Sequence, residues 1–125
     1  MPACKILVIE DDEDLRESLI ALFESEGHET QGAATGLAAL TTMTWARFRP
    51  DVILLDLRLP AMSGGQFLEV LQKHPEWSRI PILVCSGDRV PDIVARSVFG
   101  VLQKPFDLQV MLSLVLDACR SRLPA

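Results

Sequence analysis

Residues 51–60, with the sequence DVILLDLRLP, decide the fold of this chain. Four apolar residues, Val52 to Leu55, run into Asp56, and a Leu-Pro turn signal follows. A short run of Val, Ile and Leu between turn signals is typical of a strand buried on both faces. Ligands of open α/β sheets bind at the carboxyl ends of strands. Asp56 is therefore either a plain turn residue or a site residue, and the other strand ends decide between the two.

The rest of the chain alternates predicted strands with predicted helices. The other strands are predicted at Lys5–Ile9, His28–Ala34, Pro81–Cys85 and Val101–Gln103; the second is polar enough to suit only a sheet edge. Apolar residues at helical spacing predict helices between Asp12 and Gly27, and at Gly36–Arg49, Gln66–His74, Pro91–Phe99 and Asp107–Arg122. Short connections favour βαβ units, so we expect an α/β fold. Its five-stranded parallel sheet is doubly wound, in the flavodoxin-like order 2-1-3-4-5, with helices on both faces. The last helix is apolar over much of its surface, so we expect it to be largely covered.

Composition and charge narrow the class of protein. A chain of 125 residues, 49% hydrophobic and 23% charged, suits one globular domain, so we expect residues 1–125 to form it without an output domain. The net charge of −5 argues against nucleic acid as a direct partner. Apolar runs are too short for a bilayer and no signal sequence is visible, so we expect a cytoplasmic protein that does not contact membranes. Three widely spaced cysteines, with no metal-binding spacing, are interpreted as reduced thiols.

Polar side chains follow four of the predicted strands. Glu10 and Asp11 follow the first, Asp56 ends the third, Ser86 follows the fourth and Lys104 follows the fifth. In the expected strand order these side chains meet at one edge of the sheet. Two carboxylates about 4 Å apart repel by roughly 4 kcal/mol at an effective dielectric near 20, so a cation or protons must occupy the cluster. Oxygen ligands suit Mg²⁺ or Mn²⁺, and a carboxylate, a divalent cation, a lysine and a hydroxyl together indicate phosphoryl transfer onto Asp56.

Four segments together resemble the receiver domain of two-component response regulators. They are Ile6–Asp11, Val52–Pro60 with Met62 and Gly64, Ile82–Ser86, and Lys104-Pro105-Phe106, and they span nearly the whole chain. The resemblance implies that Asp56 accepts a phosphoryl group from a histidine kinase or phosphotransfer protein. It also implies that Glu10, Asp11, Asp56 and the backbone carbonyl of Arg58 hold Mg²⁺. Ser86 would be the switch hydroxyl, Lys104 would bind the phosphoryl group, and the bond before Pro105 would be cis.

A receiver of this kind is expected to be a phosphoprotein that signals through a protein surface. It assists its own phosphorylation without being a turnover enzyme, acts on a downstream protein target, and is a monomer or a weak dimer. Asp12 is expected to be a helix N-cap rather than a further metal ligand. Arg58 and Asp88 flank the expected site, where they could pair or control the access of water, but a surface ion pair that contributes little is favoured.

The sequence departs from the family pattern at two places. A switch aromatic usually stands three residues before the lysine, where this chain has Val101, and Phe99 is out of register. Only eighteen positions separate Ser86 from Lys104, so we expect a shortened or irregular fourth helix. Our hypothesis is that phosphorylation reorders the segment from Gly87 to Gly100 instead of rotating an aromatic ring.

Two other functions stay open at this point. One is an interaction module with the receiver fold that binds independently of phosphorylation, which the two departures favour. The other is a phosphatase with an aspartyl intermediate. That reading is weaker because such enzymes commonly have a second carboxylate two residues after the nucleophile, where this chain has Arg58.

Overall fold

One parallel sheet organises the computed structural model, which describes residues 3–59 and 62–122. Its strands are β1 (Lys5–Ile9), β2 (Glu29–Ala33), β3 (Val52–Asp56), β4 (Ile82–Ser86) and β5 (Gly100–Gln103), in the spatial order β2-β1-β3-β4-β5. The predicted strand order and the polar edge position of β2 are thus confirmed. Pro60 of the Leu-Pro turn and Ala61 of the following loop lie outside the described residues.

The central position of β3 follows from its composition. All five of its residues are buried, because β1 pairs on one side and β4 on the other, while helices cover both faces. The register aligns Ile9 with Leu55 and Asp56 with Cys85, so the carboxyl ends of the three strands lie side by side. This alignment brings the polar residues that follow them to one edge.

Helices pack on both faces of the sheet, as a doubly wound fold requires. In the described part of the chain they are α1 (Glu13–Ser25), α2 (Gly36–Thr44), α3 (Gly64–Lys73), α4 (Asp92–Ser97) and α5 (Leu108–Arg122), with a 3₁₀ turn at Trp77–Arg79. One apolar core joins the sheet to α2 and α3, and a second joins it to α1 and α5. None of these helices is long and apolar enough to cross a membrane.

Side-chain caps set the starts of four helices, among them α2, where the Thr35 hydroxyl accepts the N–H of Ala38 at 3.0 Å. The Asp12 carboxylate accepts the backbone N–H of Leu15 at 3.1 Å, which confirms it as the N-cap of α1. Ser63 and Gln66 form a reciprocal capping box, so α3 begins two residues before its predicted start. Asp107 accepts the N–H groups of Gln109 and Val110 at the start of α5.

The second helix is shorter than predicted. The sequence suggested a helix as far as Arg49, but α2 ends at Thr44 and Trp45 is 82% exposed. The chain turns back because the N–H of Phe48 bonds the carbonyl of Thr42 while the Phe48 ring enters the core. Arg47 takes the left-handed backbone conformation, with φ of 52°, to make this turn.

Of the predictions for the last two helices, the one for α4 is confirmed and the one for α5 is wrong. Helix α4 has six residues, none of them buried, which confirms the shortened fourth helix. Helix α5 was expected to be largely covered, but only one face of it is: Met111, Val115, Ala118 and Cys119 are buried, whereas Leu108 and Val110 are about half exposed. The apolar composition of α5 therefore exceeds what the core of this domain covers.

The interpretation of all three cysteines as reduced thiols is wrong for two of them. Cys4, just before β1, and Cys119, near the end of α5, form a disulfide with their Cα atoms 6.0 Å apart. The two residues are 115 positions apart, so no local spacing signals the bond. Packing of α5 against the start of β1 creates it. Cys85 is the free thiol and is buried.

Candidate functional site

Three carboxylates meet at the carboxyl edge of the sheet. Glu10 and Asp11 follow β1, Asp56 ends the neighbouring β3, and one carboxylate oxygen from each lies within 4.8 Å of the others. Glu10 and Asp56 are only 3% and 6% exposed, whereas Asp11 is exposed. The edge therefore has a deep, acidic interior and one carboxylate at its mouth.

Lys104 reaches this cluster from the loop after β5. Its backbone N–H bonds the carbonyl of Ser86 at 2.7 Å, which fixes the loop against the end of β4. Its Nζ then donates to Oε1 of Glu10 at 2.8 Å and to Oδ2 of Asp56 at 3.0 Å. The bond between Lys104 and Pro105 is cis, as the resemblance implies. One ammonium group thus bridges the two buried carboxylates.

The charges of this cluster are not balanced. Burial raises the pKa of Glu10 from 4.5 to about 7, because its hydrogen bond to Lys104 only partly offsets burial and the charge of Asp56 adds to it. Burial opposes the charge on Lys104, but its hydrogen bonds to Glu10 and Asp56 prevail and raise its pKa. Lys104 contacts two of the three carboxylates in the cluster, so negative charge is left over for a further cation.

Backbone donors orient the carboxylates. The N–H of Arg58 donates to Oδ1 of Asp56 at 2.8 Å, and the N–H of Asp12 donates to Oε2 of Glu10 at 3.2 Å. Arg16, on α1, donates from its guanidinium to the backbone carbonyl of Glu10 at 2.9 Å. The two buried acids are thus held from both sides, with Lys104 between them.

A chain of polar contacts links the loops beside the cluster. The Ser86 hydroxyl, which is 2% exposed, accepts the N–H of Asp88 at 3.1 Å. The Asp88 carboxylate pairs with the guanidinium of Arg58, and its backbone carbonyl accepts the side-chain N–H of Gln103 at 2.7 Å. Arg58, Ser86 and Gln103 therefore tie together the loops that follow β3, β4 and β5. Ser86 lies at the site edge with its hydroxyl turned to its own loop.

Apolar residues lie directly beneath the carboxylates of Glu10 and Asp56. Phe106, Leu19 and Leu54 line a cavity of about 10 Å³ against Glu10 and Asp56. Cys85 lines it too, and burial raises the pKa of its thiol to about 12, so this sulfur is neutral at physiological pH. These apolar neighbours lower the polarity on one side of the carboxylates, which strengthens the charge interactions of Glu10 and Asp56.

Sequence reasoning missed two contacts at this edge. Arg16 lies in the first turn of α1, and Gln103 is the last residue of β5; neither has a sequence signal beyond its place in an element. Val101 occupies the position of the usual switch aromatic, and Phe99 lies two residues before it. Val101 packs partly buried against the core, and Phe99 is 42% exposed away from the cluster.

The donor set fits a hard divalent cation. Oxygen ligands from Glu10, Asp11 and Asp56, with one exposed side, match the preference of Mg²⁺ for a few carboxylates and retained waters. No thiol or imidazole of the described residues joins the group, which disfavours zinc and copper.

Fold and site together define an α/β signalling domain with an acidic pocket at the carboxyl edge of its sheet. The family profile of the response regulator receiver domain matches residues 6–116. Sporulation initiation phosphotransferase F of Bacillus subtilis is 33% identical over 122 residues, covering 96% of this chain and 94% of the relative. Protein Rrf1 of Nitratidesulfovibrio vulgaris is 31% identical over 115 residues, covering 92% of this chain and 81% of the relative.

Solved structures give the same result. Chemotaxis protein CheY4 of Vibrio cholerae superposes with a TM-score of 0.82 at 26% identity, over 94% of this chain and 99% of that one. The receiver domain of the Francisella response regulator 1452 has the same fold, with a TM-score of 0.84 at 23% identity over 96% and 99% of the two chains.

The chain belongs to the response regulator receiver domain family of two-component signalling. Receiver domains bind Mg²⁺ at an acidic pocket, and Glu10, Asp11 and Asp56 form such a pocket here. They work with histidine kinases or phosphotransfer proteins and are generally not turnover enzymes.

Proposed function

We propose that this domain accepts a phosphoryl group on Asp56 from a histidine kinase or phosphotransfer protein and signals through a changed protein-binding surface. The single observation that carries the proposal is the bridged acidic cluster: Asp56 lies beside Glu10 and Asp11, with Lys104 Nζ 3.0 Å from its carboxylate. An isolated turn residue would have no reason to combine burial with these partners.

The proposed step is transfer of a phosphoryl group between two nucleophiles. A carboxylate oxygen of Asp56 forms a bond to phosphorus while the bond from phosphorus to the donor's imidazole nitrogen breaks, and the released imidazole takes up a proton. The Arg58 N–H, 2.8 Å from Oδ1, holds the carboxylate in one orientation for this attack.

Positive charge at the site favours the transfer. Mg²⁺, held by Glu10, Asp11, Asp56 and the backbone carbonyl of Arg58, would supply charge for the oxygens of the transferring group. The Lys104 ammonium, now between two carboxylates, would turn to a phosphoryl oxygen, whose negative charge would take the place of theirs. The Ser86 hydroxyl would donate a hydrogen bond to another phosphoryl oxygen.

The Ser86 step explains how the signal would leave the site. To reach the phosphoryl group, the Ser86 side chain would rotate from its present position, in which its oxygen accepts the N–H of Asp88 at 3.1 Å. Asp88 pairs with Arg58 and bonds Gln103, so this change would loosen the loop that precedes α4. We propose that phosphorylation reorders residues 87–100, because Val101 provides no aromatic ring to rotate. Amide exchange with and without beryllofluoride tests this; unchanged protection over residues 87–100 would rule it out.

The proposed phosphoacceptor function also indicates the partners of the domain. We propose a cytoplasmic domain that acts on a downstream protein, as a monomer or a weak dimer, without direct contact to nucleic acid or membrane. The similarity to a relative named as a phosphotransferase, over nearly the full length of both chains, supports a place within a phosphorelay.

The test of phosphoacceptance uses acetyl phosphate and Mg²⁺ as a small phosphodonor system. We expect the intact mass of the wild type to increase by one phosphoryl group, and the increase to be lost in Asp56→Asn. Asp51→Asn is the matched control, because Asp51 lies at the other end of the same strand. A mass increase that survives Asp56→Asn would overturn the proposal.

An interaction module that ignores phosphorylation is the second candidate. The observation that favours it is α4, whose six residues bury no side chain and offer no rigid switch element. For this candidate, the target binds wild type and Asp56→Asn equally with and without beryllofluoride. A difference between the two proteins only in beryllofluoride would decide for the phosphoacceptor.

A further inference from the structure

A second surface feature lies at the amino edge of the sheet, opposite the carboxylates. Three adjoining cavities, of about 510, 410 and 320 Å³, meet there around Trp77. The first two share Arg79 and Arg122, and the last two share Arg49 and Glu76. We call this feature the basal groove and define it by Arg47, Arg49, Trp77, Arg79 and Arg122.

The charge of the basal groove is the reverse of that of the whole chain. The protein has 17 acidic and 12 basic residues, yet four arginines, all exposed, line this groove, and Glu76 is the one carboxylate among the described residues that line it. Within residues 3–59 and 62–122, no carboxylate lies within ion-pair distance of these four guanidinium groups. Arg122 donates to the backbone carbonyl of Arg79 at 3.5 Å.

The apolar part of the groove is held in place. One face of Trp77 stacks on the His74 ring, with the ring centres 3.9 Å apart and the planes at 12°. Nδ1 of His74 accepts the N–H groups of Glu76 and Trp77 at 3.1 and 3.0 Å, which fixes the imidazole beneath the indole. Phe99, 42% exposed, lines the far end. Rigid aromatic and arginine side chains of this kind dominate protein recognition sites.

We propose that the basal groove binds an acidic segment of a partner protein, with carboxylates on the arginines and an apolar side chain beside Trp77. Arginine binds carboxylates through paired hydrogen bonds, and those at a partly enclosed groove are stronger than those at an open surface. A peptide segment fits better than nucleic acid, because a long polyanion would extend past the groove onto a chain of net charge −5.

The groove is separate from the phosphorylation site. Arg49 precedes β3 and Arg79 precedes β4, whereas Asp56 and Ser86 end those strands. Binding at the basal groove therefore needs neither a phosphoryl group nor Mg²⁺. Peptide binding at the groove can be measured whether or not Asp56 accepts a phosphoryl group.

The experiment uses the full chain in the Trp45→Phe background, which leaves Trp77 as the sole indole reporter. A short peptide of Asp, Glu and Leu is titrated without phosphodonor or Mg²⁺, beside the same peptide with Asn and Gln in place of the acids. We expect a saturable change in Trp77 emission with the acidic peptide alone.

Matched arginine variants assign the binding to the groove. Arg79→Gln is expected to weaken the peptide about tenfold, the size of one lost charge-assisted hydrogen bond. Arg89→Gln makes the same charge change in the loop after β4, outside the groove, and is expected to weaken it less than about twofold, as a screened surface charge does. Thermal melts check that both fold, and Arg122→Gln replaces Arg79→Gln if the latter does not.

Four results would overturn the proposal. They are no saturable binding by wild type, equal weakening by Arg79→Gln and Arg89→Gln, equal binding of the neutral peptide, and stronger binding of a short DNA duplex than of the acidic peptide. Sedimentation gives a fifth: self-association abolished by Arg79→Gln would make a second copy of this chain the occupant.

Discussion

Among the carboxylates of the pocket, Glu10 has the environment that differs most from that of a carboxylate in water. It is almost fully buried, shares Lys104 with Asp56, and has its pKa raised to about 7. A buried acid with a raised pKa holds a proton that the unfolded chain releases. The same feature that prepares the pocket for a cation therefore reduces stability when no cation is bound.

The first prediction concerns stability without divalent cations. Between pH 4.5 and about 7 the folded chain keeps a proton on Glu10 that the unfolded chain has lost, so this group lowers the free energy of unfolding as pH rises through that window. Urea unfolding in chelator should show wild type losing stability relative to Glu10→Gln as pH increases. A difference between the two proteins that does not vary with pH would contradict the raised pKa.

The second prediction concerns metal uptake. Because Mg²⁺ and a proton compete for Glu10, the affinity for Mg²⁺ should fall below pH 7 by up to about tenfold per pH unit and level off above it. Titration calorimetry at several pH values measures this. An affinity that is constant from pH 6 to pH 8, at about the same ionic strength throughout, would contradict competition between Mg²⁺ and a proton on Glu10 in this range.

At the scale of elements, the start of α3 supports the phosphoacceptor strand. Gly64 lies so close to the end of β3 that an added Cβ would be 2.6 Å from Cα of Leu57 and 3.0 Å from the carbonyl oxygen of Asp56. The neighbouring Gly65 has space, since its Cβ would meet only the Ser63 hydroxyl, at 3.8 Å. The contact with backbone leaves only glycine at position 64.

The third prediction follows from this pair. Gly64→Ala should lower the free energy of unfolding by about 1–3 kcal/mol and slow phosphorylation, because the backbone of Asp56 must shift. Gly65→Ala should raise stability by up to about 1 kcal/mol, because alanine favours the helix. Urea unfolding measures both. Equal effects of the two substitutions would show that the contact with Asp56 is not tight.

The elements also show what sequence can predict. The positions of Asp56, Ser86 and Lys104 at strand ends could be predicted from sequence, because each follows a local apolar run. The predicted strand order then brings these residues together. The end of α2 could not, since it depends on Phe48 folding back into a core built by distant residues. The contacts of Arg16 and Gln103 depend on loop positions that no periodicity encodes.

At the scale of the whole molecule, one covalent bond joins the two ends of the fold. The disulfide between Cys4 and Cys119 spans 115 positions and ties β1 to α5. It was missed because cysteine spacing is informative only over short distances, and the packing of α5 against the sheet brings these residues together. The basal groove was missed for the same reason, because its arginines come from two separate loops and a helix end.

The fourth prediction concerns this bond. Protein purified without reductant should show one titratable thiol in denaturant, from Cys85, and none in the native state, where that thiol is buried with its pKa raised. Cys119→Ser should lower the free energy of unfolding by roughly 2–4 kcal/mol, because a long loop is no longer closed in the unfolded chain. Three thiols in denaturant would contradict the bond.

The central claim is that separate strand ends form one pocket for a phosphoryl group on Asp56. The most direct measurement is ¹⁹F NMR of the protein with beryllofluoride, a phosphoryl mimic. The account predicts bound fluoride resonances that require Mg²⁺, persist in Asp51→Asn, and are absent in Asp56→Asn. Wild type without bound resonances, or resonances that persist in Asp56→Asn, would contradict it.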